Sequence, residues 1–232
     1  MMPILFEKIP LIYILLLSAL LLPRIPIIGK FFSVVNTMIH ELGHALMALC
    51  FEGKVNKIEI FQDSSGATTT QCKSKIANFF VTLVGYPFSA ITAYAMFRIY
   101  AIGYHEGFLW GISLLFVIVL IFWIRNFYGL LWVLLFTGLN GYLLYLDNTL
   151  YFQIATLTYA TFTAIDSLYS SIIIFYLSII HKDKAGDTTL LYKITGIPTF
   201  IWGFLFLIFS AWISYLIYKN NPFLFPSIET LL

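Results

Sequence analysis

Charge is scarce in this 232-residue chain: only 10% of its residues are Asp, Glu, Lys or Arg, against about 25% in ordinary soluble domains. That shortage, with 60% hydrophobic residues, 19% aromatic residues and a mean hydropathy of +0.91, excludes a soluble globular enzyme and a disordered region. Cysteine is nearly absent. Cys50 and Cys72 are the only two, too few for a disulfide framework or a zinc knuckle, and Cys50, at the end of an apolar run, reads as a small buried hydrophobe. No basic run is long enough for nucleic acid, and 13 basic against 11 acidic residues leave a net charge of +2. The strand alternation of an outer-membrane barrel is missing, as is any fixed-period repeat. What remains is an all-α polytopic membrane protein.

A bilayer core takes about 20 apolar residues per helix. The first apolar segment, Leu11 to Leu22, is short and stops at Pro23-Arg24-Ile25-Pro26, so it either spans with help from Ile27-Ile28 or re-enters. It lacks a basic leader and a small-residue cleavage site and is read as retained. Further spans are expected over Phe31–Phe51, Ile76–Gly103, Phe108–Ile124, Phe127–Leu146, Leu150–Ile180 and Ile197–Tyr218, six to seven in all. Gly85-Tyr86-Pro87 should kink or loosen the third. The sixth exceeds one bilayer thickness and must tilt or protrude.

With seven alternating spans, the N-terminal side carries nine basic residues (Lys8, Lys54, Lys57, Lys73, Lys75, Arg125, Lys182, Lys184, Lys193) and the other side four (Arg24, Lys30, Arg98, Lys219). The positive-inside rule makes the richer side cytoplasmic. The chain reads as one membrane-embedded domain, 1–232, with two cytoplasmic excursions at 52–75 and 181–196. In the first, Val55, Ile58 and Ile60 alternate partly with polar residues, Asp63-Ser64-Ser65-Gly66 supplies a turn, and Thr68-Thr69-Thr70 is β-branched: a small β-hairpin directly after the second helix. Two strands alone are marginal in water, so the hairpin must lean on the membrane domain or pair with something.

Inside the second helix stands His40-Glu41-Leu42-Gly43-His44, an HExxH motif. The i, i+4 spacing stacks both imidazoles on one face, where their nitrogens can converge on one zinc ion. Glu41 lies beside them, placed to act as general base toward water activated by the metal. Three ionisable groups within one apolar helix are costly and normally mark a site, and Gly43, Ala45 and Ala48 allow close helix approach around it. The other two histidines, His105 and His181, read as solvated loop residues.

The ordered set Asn36 to Leu46 (NTMIHELGHAL), Gly53-Lys54-Val55, Gly66-Ala67-Thr68-Thr69-Thr70, Gly85-Tyr86, Arg125-Asn126 with Gly129, and Gly186-Asp187-Thr188 through Thr195-Gly196-Ile197-Pro198 to Trp202 resembles the site-2 protease family of intramembrane zinc metalloproteases, in its small B-like branch. The resemblance spans about residues 33 to 203. It implies His40 and His44 as zinc ligands and Glu41 as general base, with one zinc ion as cofactor.

The better-known branches take their third ligand from an Asp-Gly pair, which this sequence lacks. Three aspartates compete. Asp147 lies across the bilayer from the His40–His44 end of its helix, which argues against it. Asp166, within the sixth span, is an intramembrane carboxylate and a functional candidate by default. Asp187 lies on the cytoplasmic side, within the stretch that resembles the B-like branch, and is preferred over Asp166; that neither is a ligand, their roles being supporting or purely structural, stays open. Asn126 on the same side could orient substrate or serve, with Arg125, as an interfacial anchor. The function expected is hydrolysis of membrane-spanning proteins near the cytoplasmic face. The partners are then a membrane-protein substrate and the lipid bilayer (a plasma or inner membrane in a bacterium), with no nucleic acid; the oligomeric state stays open. An ion or metal transporter, or an inactive protease-like scaffold, are the alternatives.

Overall fold

The computed structural model describes residues 10–24 and 28–225. Lys8, and the stretch Ile25-Pro26-Ile27 weighed for the first span, lie outside the described residues. Helix α1 (Leu11–Leu21) runs into a 3-10 turn at Leu22–Arg24. Its 11 residues give about 16 Å of helix, half of a bilayer core. Helix α2 (Ile28–Cys50) has 23 residues and carries the HExxH motif. Strands β1 (Lys54–Ile60) and β2 (Gly66–Gln71) follow, then α3 (Lys75–Ala101), α4 (His105–Phe122), α5 (Phe127–Tyr145), α6 (Thr149–Ile180), a short α7 (Gly186–Thr195) and α8 (Thr199–Asn220).

Five of these helices, α3, α4, α5, α6 and α8, are long and apolar enough to cross a membrane. Helix α2 is as long, but its polar motif lowers its hydropathy. The architecture is that of an integral membrane protein with a small two-stranded sheet. Helix α6 has 32 residues, about 48 Å of rise, and overreaches a bilayer core as its sequence requires.

The hairpin pairs antiparallel, from Lys54 opposite Gln71 to Ile60 opposite Gly66, with a bulge between Val55 and Lys57. Its turn is tied by Asp63, whose Oδ1 accepts from the Ser65 amide at 3.0 Å and the Ser65 hydroxyl at 2.6 Å. These bonds hold the Asp63 carboxyl below its ordinary range. The outer edge of β1 is already covered. Ile58 N donates to Trp123 O at 2.7 Å, and Arg125 N donates to Ile58 O at 3.2 Å, so the chain at 123–126 lies parallel to β1.

Helix α2 packs against α3, α6 and both strands. Ala45 and Ala48 are fully buried, and a Cβ on Gly43 would stand 2.9 Å from Phe88 Cβ, so these small residues do permit close approach. Ser74 caps α3, accepting from Ala77 N at 3.0 Å, and α3 continues unbroken through Pro87. Two expectations are corrected. His105 is not in a solvated loop: it opens α4, buried, with its ring 4.9 Å from that of Tyr100. Cys50 is exposed rather than buried, because α2 ends there and turns out toward β1.

Candidate metal centre

Three side chains converge where α2, α3 and α7 meet. One turn of α2 brings the Nε2 atoms of His40 and His44 to 3.0 Å from each other. Asp187, the second residue of α7, places Oδ2 3.3 Å from His40 Nε2 and 3.4 Å from His44 Nε2. Such a triangle needs space beside the rings, and α3 provides it with Gly85: a Cβ there would lie 2.5 Å from His40 Cε1 and 2.7 Å from His44 Cε1. Tyr86, next along α3, sets its ring edge-on to His40 at 4.7 Å and stacks on Phe206.

The tautomer of His44 follows from its neighbour. Its Nδ1 sits 2.6 Å from the carbonyl of Val81, a pure acceptor, so Nδ1 bears the proton and Nε2 presents a lone pair to the triangle. Asp187 is fixed by the first turn of α7. Thr189 Oγ1 donates to Lys182 O at 2.6 Å and accepts from Ala185 N at 3.1 Å, while Thr188 Oγ1 donates to Ala185 O at 2.8 Å. Gly186 takes φ +48°, the left-handed backbone that glycine adopts freely.

Two imidazole nitrogens and a carboxylate oxygen form a donor set found in catalytic zinc sites, with a fourth position left open. Zinc with ligands at about 2.0–2.1 Å in a tetrahedron requires donor separations of about 3.3 Å. The observed 3.0, 3.3 and 3.4 Å fit without rearrangement, and His40, His44 and Asp187 form a group able to hold a metal ion.

Glu41 lies in the same cleft, a space of about 470 Å³ that also has Thr37, Thr68 and Tyr86 in its walls. It is 5% exposed. Thr68 of β2 places its hydroxyl 2.7 Å from Glu41 Oε2. The hairpin reaches this close because of Gly66, where a Cβ would stand 2.7 Å from Glu41 Cγ and Oε1, and because Thr37 Oγ1 donates to Ser64 O at 2.6 Å.

The other sequence candidates stand elsewhere. Asp147 is at the α5–α6 turn, exposed. Asp166 is buried in α6 outside the group of three. Asn126 is not in the cleft: its Nδ2 donates to Ile60 O at 2.6 Å and its Oδ1 accepts from Ile60 N at 3.2 Å. Its amide thus serves as a further rung of the sheet, and both ends are occupied. Arg125 donates to the carbonyls of Phe122 and Ile124 at the end of α4, an anchoring role.

Sequence reasoning missed Thr68, Gly85, Val81 and α7. GATTT and Gly85-Tyr86 were visible as parts of the resemblance, but nothing local says that one threonine faces Glu41 or that one missing Cβ admits two imidazoles. The comparison with family models matches residues 11–217 to the Peptidase M50B-like family. No curated protein and no solved structure matches the chain.

Proposed function

This chain belongs to the Peptidase M50B-like family, a group of membrane-embedded metalloproteases of the site-2 protease kind, and we propose that it is an active intramembrane zinc protease cutting membrane-spanning proteins near the cytoplasmic face. The observation that carries the reading is the triangle of donors from His40, His44 and Asp187 at zinc-compatible separations. His40, His44 and Asp187 would hold the ion. When bound, zinc lowers the pKa of a water toward 7 and polarises a peptide carbonyl.

The chain's own residues do the rest. Glu41, in the cleft beside the ligands, takes the proton from the attacking water and returns it to the leaving amine. Thr68 orients the carboxylate. The Val81 carbonyl keeps the proton of His44 on Nδ1, so Nε2 stays available as a ligand. A helical substrate is a poor target because its carbonyls are hydrogen-bonded; it must open into a strand. The edge of β1 is taken by 123–126, so the strand would add to β2, beside the cleft.

The test compares purified wild type and Glu41→Gln in detergent, with zinc content and cleavage of single-pass peptides as readouts. Protease chemistry requires both to bind zinc and only the wild type to cut. Ion flux in liposomes with no cutting by either would establish the transporter alternative instead.

A further inference from the structure

Peptide hydrolysis moves negative charge onto the oxygen of the cut carbonyl, and a hydrogen-bond donor aimed at that oxygen lowers the barrier. The described walls of the metal cleft hold no lysine, no arginine and no histidine beyond His40 and His44, so a side-chain donor there must be a hydroxyl or an amide. Most of these are already spent. Thr37 donates to Ser64 O, Thr82 to Asn78 O and Ser170 to Asp166 O, while Thr68 is engaged with Glu41 and Ser65 with Asp63. Ser64 Oγ is sealed in the interior. Asn36, Thr70 and Tyr86 remain.

Of these three, Tyr86 packs against a metal ligand. Its ring stands edge-on to His40, with centroids 4.7 Å apart, and stacks on the buried ring of Phe206, so the phenol is held from two sides. Its neighbour Gly85 is the residue that admits both imidazoles to α3, which brings Tyr86 to the same spot. The Tyr86 hydroxyl makes no hydrogen bond among the described residues, and it is not one of the polar atoms closed off in the interior. It opens on the cleft, whose wall Tyr86 forms. The phenol also interacts electrostatically with Asp187, a metal donor, and with Glu41, the general base. One free O–H thus stands within reach of both charged groups that the reaction uses.

We propose that Tyr86 is a catalytic residue whose Oη–H donates a hydrogen bond to the carbonyl oxygen of the cut bond as it becomes an oxyanion. The assignment rests on the protease reading for the identity of the reaction. The water oxygen bonds to the carbonyl carbon, Glu41 takes the water's proton, and the C=O π pair moves onto the oxygen that Tyr86 faces. The pair then returns, the C–N bond breaks, and the leaving nitrogen takes the proton back from Glu41. Tyr86 keeps its own proton throughout: it stabilises charge and transfers nothing.

The test is Tyr86→Phe, which removes the hydroxyl and keeps the ring on His40 and Phe206. Both proteins are studied as the full chain in detergent, loaded with zinc, with metal content and circular dichroism recorded. On a single-pass peptide, kcat should fall about 100-fold or more, the usual cost of losing one oxyanion donor, with KM unchanged because the bond forms only in the transition state. In calorimetry, a dileucine phosphinate, whose tetrahedral anionic group copies the oxyanion, should bind the variant at least about tenfold more weakly. The planar dileucine amide should bind both proteins alike. Equal kcat with equal phosphinate affinity overturns the assignment, and so does loss of zinc from a folded variant, since the hydroxyl would then act on the ligands. A wild type that fails to prefer the phosphinate over the amide overturns it whether or not the variant folds. Phosphinate binding that depends on Tyr86, in a wild type that cuts no membrane-spanning peptide, upholds the donor and overturns the protease reading alone.

Discussion

The hydroxyl of Thr68, on the second strand of the hairpin, lies 2.7 Å from the Glu41 carboxylate and 3.1 Å from the carbonyl of the same residue. A hairpin strand and a membrane helix are joined at the residue assigned the proton transfer. Hydrogen bonds to charged groups are worth about 1.5–3 kcal/mol. Thr68→Val should therefore lower kcat about tenfold or more with zinc content unchanged, and Thr68→Ser should restore most of it. Equal kcat for Val and wild type would remove Thr68 from the machinery.

Gly66 governs the same approach from the turn side. A Cβ there would press within 2.7 Å of Glu41 Oε1 and 2.8 Å of Thr37 Cγ2. Gly66→Val should displace the hairpin and cut activity at least about tenfold, while metal analysis still finds one zinc per chain.

Gly85 acts on the metal instead. With a Cβ 2.5 Å from His40 Cε1, the rings must turn away. Gly85→Ala should weaken zinc roughly 10–100-fold, the usual cost of disturbing the support of a ligand. Metal quantification after dialysis reads this out, and circular dichroism should report intact helices.

The aspartates separate cleanly. Asp187→Ala should lose zinc on dialysis, since it removes one of three donors. Asp166→Ala should retain it, because its carboxyl stands outside that group. The reverse pattern would reassign the third ligand.

For Asn126 two roles make different demands. Its two hydrogen bonds to Ile60 should each contribute about 0.5–1.5 kcal/mol. Asn126→Ala should therefore speed amide exchange at Ile60 and leave KM unchanged. A raised KM with unchanged exchange would return it to substrate binding.

What the sequence revealed depended on range. His40 and His44 are four residues apart, so one helical turn brings them together whatever surrounds it. The hairpin declared itself through β-branched alternation and the Asp63–Gly66 turn, both local. Asn126 did not, because its partner Ile60 is 66 residues away and an amide that mimics a strand looks in sequence like any polar loop residue. Helix α7 was read as loop because it opens on Gly186-Asp187-Thr188-Thr189, and these polar groups satisfy the turn behind them rather than an apolar face. Asp166 and Asp187 stayed in competition because topology put one in the membrane and the other at its edge, and only the packing of α7 against α3 and α6 decides which reaches the histidines.

The donor triangle joins stretches of chain about 140 residues apart in sequence, from His44 to Asp187. A cation gripped there acts as a reversible cross-link that clips the last third of the polypeptide to the first quarter, much as a covalent bridge would. Stripping it with a chelator should thus soften the assembled bundle as well as silence it, with α7 the piece set free.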